Sequence, residues 1–276
     1  GKDAAEKSIN AGVDMDMVSE SFLWNLEKSL NEGIVSQETI DNAVRNILRL
    51  KFRLGLFDNP YVTTPQSVKY APGHLDAARR AAEESVILLE SRNGTLPLGE
   101  RVRKVLVVGP MADANYEQMG TWVFDGEREH TVTPLYAIRK MYGDKVSVDY
   151  IPVLKYSRDK DRSGIAKAVK AAKSADVVIA FVGEEAILSG EAHSLADIRL
   201  QGAQSELIKA LGDTKTPLVT VIMAGRQLVI TEEAKASDAL IYMFHPGTMG
   251  GPAIADILFG KAVSYTHLTL PTTSRV

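Results

Sequence analysis

The chain has 276 residues, of which 45% are hydrophobic and 24% are charged, and its formal net charge is -3 at pH 7. This composition is typical of a globular protein, and the slightly acidic balance gives no electrostatic footprint for nucleic acid. The absence of cysteine excludes disulfides, thiolate metal ligands and thiol nucleophiles. The sequence contains no run of about 18 apolar residues, so it predicts no membrane span.

The N-terminal quarter of the chain predicts helices joined by short polar segments. Ser19 and Ser36 are the expected N-caps of two amphipathic helices, because a serine hydroxyl satisfies free amides at a helix start. The predicted helices cover residues 4–10, 19–33 and 36–55, with a short alternating strand over residues 12–17. Proline, glycine and threonine without periodicity predict a linker over residues 62–73.

After residue 73 the pattern changes to alternating strands and helices. Near-continuous runs of Val, Ile and Leu predict strands over residues 104–109, 146–151, 176–183, 217–225 and 239–245. The predicted helices cover residues 74–91, 133–141, 164–174, 202–211 and 249–259. This alternation indicates an α/β fold with a mainly parallel, doubly wound sheet covered on both faces, and it leaves the strand order open.

The carboxyl ends of such strands meet at one edge of the sheet, where ligands bind. The loop of residues 184–197 follows the most apolar strand and carries Glu184, Glu185, Glu191 and His193. Glu191 is the strongest candidate for chemistry, since it lies beside a glycine at a strand end and no competing nucleophile is near. The alternative is an ordinary solvated glutamate.

Other polar residues at the predicted strand ends have simpler interpretations. Arg226 is expected to form an ion pair that ties its strand to a neighbouring loop. His193 and His245 lack metal-ligand spacing and are expected to be hydrogen-bonded polar residues. HPGTMGG, which includes His245, lacks both GxGxxG and a Walker lysine, so phosphate binding is disfavoured. Trp122 is either a packing residue or a platform for a sugar ring.

Several motifs, taken in chain order, carry a family resemblance. They are AGVDMDM at residues 11–17, IDNAVRNILRLKFRLGLFDNPY at 40–61, ARRAAEESVILLESRNGTLPL at 78–98, and then VVGPMAD, MGTW, VGEEAILSGEAHS, MAGRQL and HPGTMGGPAIADILFG. Over residues 1–263 the chain resembles the C-terminal portion of glycoside hydrolase family 3, the β-glucosidase and β-xylosidase family, and particularly its bacterial β-glucosidase branch.

The resemblance implies a two-part active site for a retaining β-glycosidase. In the family a (β/α)8 barrel supplies the aspartate nucleophile, and an α/β sandwich domain supplies an acid/base glutamate on a loop. The SGEA segment matches that loop, so Glu191 is the expected general acid/base, and Trp122 is a candidate substrate-binding residue. Neither Asp14 nor Asp16 is assigned as nucleophile, and no metal or cofactor is implied.

The resemblance also implies a domain organisation and a substrate class. We expect residues 1–33 to be the end of a truncated barrel, 34–84 a helical linker, 85–263 the α/β sandwich domain, and 264–276 a non-native tail. The chain is then a C-terminal fragment, inactive alone, of an enzyme acting on terminal β-linked sugars of oligosaccharides or other β-glycosides. No nucleic acid or membrane partner is expected, and the sugar, the compartment and the oligomeric state stay open.

Three positions depart from the family pattern. Leu195 stands where close relatives often have arginine, Gln227 where proline is usual, and Glu90 where lysine is common. The first departure bears on the loop that carries Glu191. It favours an alternative in which the chain is a non-catalytic α/β domain that binds a small molecule or forms an interface. A flavodoxin-like nucleotide-binding domain is a weaker alternative, because the chain has no phosphate-cradling motif.

Overall fold

The structure is a computed structural model that describes residues 1–262 and the backbone of residues 266–267. It separates into two compact units, the first comprising Gly1–Val68 and the second beginning at Lys69. The domain boundaries expected from the family resemblance stay predictions. The predicted non-native tail, residues 264–276, lies outside the described residues apart from the two-residue backbone segment.

The first unit is helical. It contains α1 (Lys2–Asn10), α2 (Ser21–Asn31) and α3 (Gln37–Arg53) around a small apolar core that includes Ile9, Val35 and Ala43. Ser36 caps α3 as predicted, because its hydroxyl accepts a hydrogen bond from the Thr39 amide at 3.1 Å.

Two predictions for the first unit are wrong. Ser19 does not cap α2, since its hydroxyl donates to Asp16 at 2.8 Å and Glu20 occupies the cap position. Residues 12–17 form no strand, and Met15 and Met17 are exposed. A strand needs a neighbour for its backbone hydrogen bonds, and the described part of this unit offers none.

The second unit is built on one sheet flanked by helices. Its strands are β1 (Ile87–Ser91), β2 (Lys104–Val108), β3 (Ser147–Ile151), β4 (Val177–Gly183), β5 (Leu218–Met223), β6 (Ala239–Tyr242) and β7 (Thr266–His267). Its helices are α4 (Pro72–Ser85), α5 (Pro134–Tyr142), α6 (Ile165–Ala172), α7 (Gln204–Gly212), α8 (Thr231–Ala236) and α9 (Gly250–Leu258).

The strand order is β3-β2-β4-β5-β6-β1-β7. Strands β2 to β6 are parallel to their neighbours, whereas β1 runs antiparallel to β6. The predicted mainly parallel α/β sheet is therefore confirmed. Strands β3 and β4, the next two along the chain, lie on opposite sides of β2. The strand order therefore reverses at β2, and parallel sheets bind ligands at the carboxyl ends of the strands at such a point.

Strand β4 lies in the interior of the sheet, between β2 and β5, and is buried along its whole length. Val177, Ile179 and Phe181 face one apolar layer, which includes residues of α5 and α9. Val178, Ala180 and Val182 face the other, which includes residues of α6 and α7. Burial on both faces accounts for the lack of alternation between polar and apolar residues along the strand.

The second unit also differs from the prediction at β1 and α8, and the two-residue β7 was not predicted either. The helix predicted over residues 74–91 ends at Ser85, and residues 87–91 instead form β1. A short apolar run is compatible with either structure, and the pairing of β1 with the edge of β6 decides for a strand. Helix α8, which is six residues long, was not predicted.

Candidate active site

The acidic loop, residues 184–197, leaves the sheet at the end of β4. The Glu184 amide donates to the Met223 carbonyl at 2.8 Å, which extends the pairing of β4 with β5 by one residue. Gly183 precedes it with a φ of 150°, and a side chain there would clash with that carbonyl. The start of the loop is therefore fixed to the sheet.

Glu191 lies at the tip of a tight turn in this loop. The turn spans residues 190–193 and is closed by a hydrogen bond from the His193 amide to the Gly190 carbonyl at 3.2 Å. Ala192, the third residue of the turn, has a φ of 62°, the positive value that type II turns require at this position. Glu191 occupies the second position and is exposed.

Thr121 supports the loop from the segment that follows β2. Its hydroxyl lies 2.6 Å from the Ala186 carbonyl oxygen and 3.0 Å from the Ser189 carbonyl oxygen. The Glu117 carboxylate accepts a hydrogen bond from the Ala186 amide at 2.6 Å. Burial raises the pKa of Glu117, and this hydrogen bond opposes the effect. The loop carrying Glu191 thus packs on the segment that carries Trp122.

We expect Gly190→Ala to displace the loop and to lower the free energy of unfolding by more than about 1 kcal/mol. Gly190 has a φ of 107°, and an added Cβ would lie 2.5 Å from Thr121 Cγ2. Gly247→Ala is the matched control, because its φ is 71° but nothing lies within 4 Å of the added atom. Urea denaturation followed by circular dichroism measures both variants. Equal losses in the two would contradict contact between Gly190 and Thr121.

Arg226 forms the ion pair that the sequence predicts. Its Nε donates to Glu184 Oε2 at 3.1 Å, and the Glu184 side chain is fully buried. The same guanidinium donates through Nη2 to the carbonyls of Leu188 and His193, the latter at 3.1 Å. Burial raises the pKa of Glu184, although the charge of Arg226 acts against the rise.

The three loop glutamates have different surroundings. Glu184 is paired with Arg226, and the Glu185 carboxylate accepts from Ser157 Oγ at 2.6 Å and from Arg158 Nε at 3.1 Å. Burial would raise the pKa of Glu185, but the hydrogen bonds from Arg158 and Ser157 hold it below its usual value. Glu191 makes no hydrogen bond or ion pair with any described residue. It is therefore the loop carboxylate left available to a ligand.

The two histidines differ from each other. His193 is exposed and contributes its backbone carbonyl to Arg226. Both ring nitrogens of His245 are buried without a well-formed hydrogen bond among the described residues, and the Glu117 backbone is the polar group that acts on the ring. Burial lowers the pKa of His245, which favours the neutral ring. Within the described ranges, no cluster of three or more His, Asp or Glu residues could hold a metal ion.

Trp122 and Phe124 form an exposed aromatic pair beside the loop support. Their ring centroids are 6.4 Å apart in an edge-to-face arrangement, and their exposed fractions are 61% and 85%. Trp122 was a candidate from the sequence, whereas Phe124, Thr121 and Glu117 were missed. The alternation of aromatic residues in TWVF was the available signal for Phe124, and no local pattern marks the other two.

The mainly parallel sheet and the unpaired carboxylate in the loop after β4 define an α/β domain with a candidate ligand site at the carboxyl edge of its strands. The family model described as "Glycosyl hydrolase family 3 C-terminal domain" matches residues 86–275. The chain therefore belongs to glycoside hydrolase family 3, as the motifs predict. None of the described helices has both the length and the hydropathy needed to cross a bilayer.

Curated relatives and solved structures agree with this assignment. The chain is 36% identical to a periplasmic β-glucosidase of Salmonella typhimurium over 94% of its own length and 37% of that protein. It is 30% identical to a β-xylosidase of Formosa agariphila over 97% of its length and 39% of the relative. It superposes with a TM-score of 0.83 on the β-glucosidase of Listeria innocua in complex with glucose, at 32% identity, covering 95% of this chain and 35% of that one. The chain thus spans little more than a third of these proteins.

Proposed function

We propose that this chain contributes the acid/base glutamate of a retaining β-glycosidase, with Glu191 in that role. The observation that carries the proposal is the contrast among the loop carboxylates: Glu184 and Glu185 are paired with arginines, whereas Glu191 is presented at the tip of a turn. A carboxyl in this role protonates the departing glycosidic oxygen and later takes a proton from the water that hydrolyses the glycosyl-enzyme.

The nucleophile of such a reaction is an aspartate from the family's barrel, and we assign it to no residue of this chain. Asp14 accepts a hydrogen bond from Asn46 at 3.0 Å. Asp16 accepts from the Ser19 hydroxyl, which lowers the pKa of Asp16, and from the Phe22 amide near the start of α2. Both carboxylates have local structural partners, and the chain alone is expected to lack turnover.

The proposed substrates are oligosaccharides or other β-glycosides with a terminal β-linked sugar. The relatives carry the names β-glucosidase and β-xylosidase, and one of the similar structures holds glucose. Trp122 suits this substrate class, because an exposed aromatic face offers apolar area to a sugar ring at low conformational cost. No cofactor is part of the proposal.

The test is a chimera in which the matching portion of the Salmonella typhimurium relative is replaced by this chain. We expect the chimera to hydrolyse an aryl β-glucoside and the 276-residue chain alone to give no turnover. The relative truncated at the junction is the control for residual activity. A chimera that folds, as judged by near-ultraviolet circular dichroism, yet gives no more product than that control would contradict the proposal.

In the same chimera, Trp122→Ala should raise KM by about fivefold, the loss of roughly 1 kcal/mol expected for one aromatic contact. The value of kcat should change less, because the ring contributes binding and not proton transfer. Trp122→Phe is the control that keeps an aromatic face. Initial rates over a range of aryl β-glucoside concentrations give both constants, and an unchanged KM in Trp122→Ala would remove Trp122 from the binding site.

A second candidate is a non-catalytic α/β domain that binds a small molecule or forms an interface. Leu195 favours it, since the family resemblance implies an arginine at that loop position. This candidate predicts that the folded chimera binds a β-glucoside without turning it over. The product assay on the chimera separates the two candidates.

A further inference from the structure

We infer that Arg226 is a positioning residue for Glu191, holding the two limbs of the turn that presents the carboxylate. The inference rests on the proposed function for its catalytic consequence. Its structural part concerns only how the acidic loop is fixed, and it can be tested on the chain as it stands.

The contacts of Arg226 bracket Glu191 along the chain. Leu188 lies three residues before Glu191, and His193 lies two residues after it. Arg226 Nη2 donates to the carbonyl oxygens of both. One nitrogen, Nη2, therefore ties the two limbs together just below the turn while Nε holds Glu184, a division of donors that the single ammonium group of lysine does not offer in the same geometry.

Arg226 is itself anchored to the sheet at two points, its guanidinium and its backbone carbonyl. Glu184, buried at the end of β4, accepts from Arg226 Nε at 3.1 Å. The Arg226 carbonyl accepts a hydrogen bond from the hydroxyl of Tyr242, the last residue of β6. Because Arg226 is held by residues of rigid strands, the loop that it contacts is also held in one position.

The loop, residues 184–197, carries no lysine or arginine of its own. Arg158, another arginine that contacts it, pairs with Glu185 at its start. The next arginine along the chain, Arg199, bonds to Asp197 at 2.6 Å. Arg226 reaches the loop from the segment after β5. Because a small misplacement of a catalytic group costs much of its rate, losing this contact should slow proton transfer and leave substrate binding nearly intact.

The first measurement is amide hydrogen exchange on the 276-residue chain and its Arg226→Ala and Arg226→Lys variants. The Ser189 and His193 amides donate to carbonyls within the loop and report on its closure. We expect these two amides to exchange at least tenfold faster in Arg226→Ala than in the wild type. In Arg226→Lys we expect a smaller acceleration, and the exchange of β4 and β5 should be unchanged in both variants. Arg199→Ala, which removes an exposed ion pair, should leave the Ser189 and His193 amides as they are.

Two exchange results would overturn the inference. Loop amides unchanged in both Arg226 variants would mean that the guanidinium does not hold the turn. Equal acceleration in the loop and in β4 and β5 would mean that it merely stabilises the sheet. The Lys variant keeps the positive charge beside Glu184, so it provides the answer if Arg226→Ala does not fold.

The second measurement is the kinetics of Arg226→Lys in the chimera. We expect kcat to fall at least tenfold for an alkyl β-glucoside, whose leaving group needs a proton, with KM changing less than twofold. On a 2,4-dinitrophenyl β-glucoside, whose leaving group departs without protonation, the rate of the glycosylation step should fall much less. Equal losses of kcat/KM on both substrates, or a change in KM alone, would overturn the positioning role. An inactive wild-type chimera would contradict the proposed function, and the exchange data would then decide whether Arg226 holds the loop.

Discussion

In the chimera that restores a barrel, Glu191→Gln should lower kcat for an alkyl β-glucoside by about 10² to 10⁴, the usual contribution of a positioned general acid or base. Glutamine keeps the size of the side chain but has no proton to give to the departing oxygen, and it cannot take one from water. Steady-state rates on alkyl and aryl β-glucosides measure the loss. The rate of glycosylation should fall less on the aryl substrate, because its leaving group needs little protonation.

Azide distinguishes a lost acid/base from a misfolded site. With a 2,4-dinitrophenyl β-glucoside the Glu191→Gln variant should accumulate a glycosyl-enzyme that water attacks slowly. Azide, which needs no base, displaces the aspartate from the anomeric carbon, so added azide should restore turnover and yield the β-glycosyl azide. Glu232→Gln, at an exposed position on α8 whose carboxylate pairs with Lys235, is the control and should keep full activity. Full activity in Glu191→Gln would refute the role.

The parallel sheet was predictable because its strands are buried on both faces. Strand β4, for example, has seven buried residues in succession, whereas a strand with one solvated face would show polar residues at alternate positions. Strand β1 and residues 12–17 were mispredicted because the sequence does not show whether a partner strand is present. Residues 87–91 find a partner in β6 and become a strand, whereas residues 12–17 have no neighbouring strand in the described part of their unit.

The supports of the candidate site were less predictable than the loop itself. The strand end marks the loop, and the family motif marks Glu191 within it. Thr121 lies 68 residues before Ser189, and Arg226 lies 42 residues after Glu184, so these contacts exist only once the strands are ordered. The ion pair of Arg226 was foreseen because a buried arginine needs an anion, but its bonds to two loop carbonyls depend on the path of the loop.

Removing the partner of a buried charge in the layer of α5 and α9 should have the largest expected effect on the free energy of unfolding. Asp256 on α9 is 1% exposed and forms an ion pair with Arg79 on α4. The hydroxyl of Tyr142, the last residue of α5, donates to Asp256 Oδ1 at 3.0 Å. These contacts join three helices that cover one face of the sheet, and removing the cation would leave a buried carboxylate with one neutral donor.

Arg79→Met should therefore lower the free energy of unfolding by about 3 kcal/mol, the lower end of what breaking a buried ion pair costs, because Arg79 is itself partly exposed. Tyr142→Phe removes only the neutral hydrogen bond and should cost about 1 kcal/mol. Arg80→Met, the exposed neighbour on the same helix, controls for the loss of a positive charge and should cost less than about 0.5 kcal/mol. Urea denaturation ranks the three variants. If Arg79→Met and Arg80→Met were equally stable, Asp256 would not depend on its ion pair, and the joining of α4 to α9 would rest on apolar packing alone.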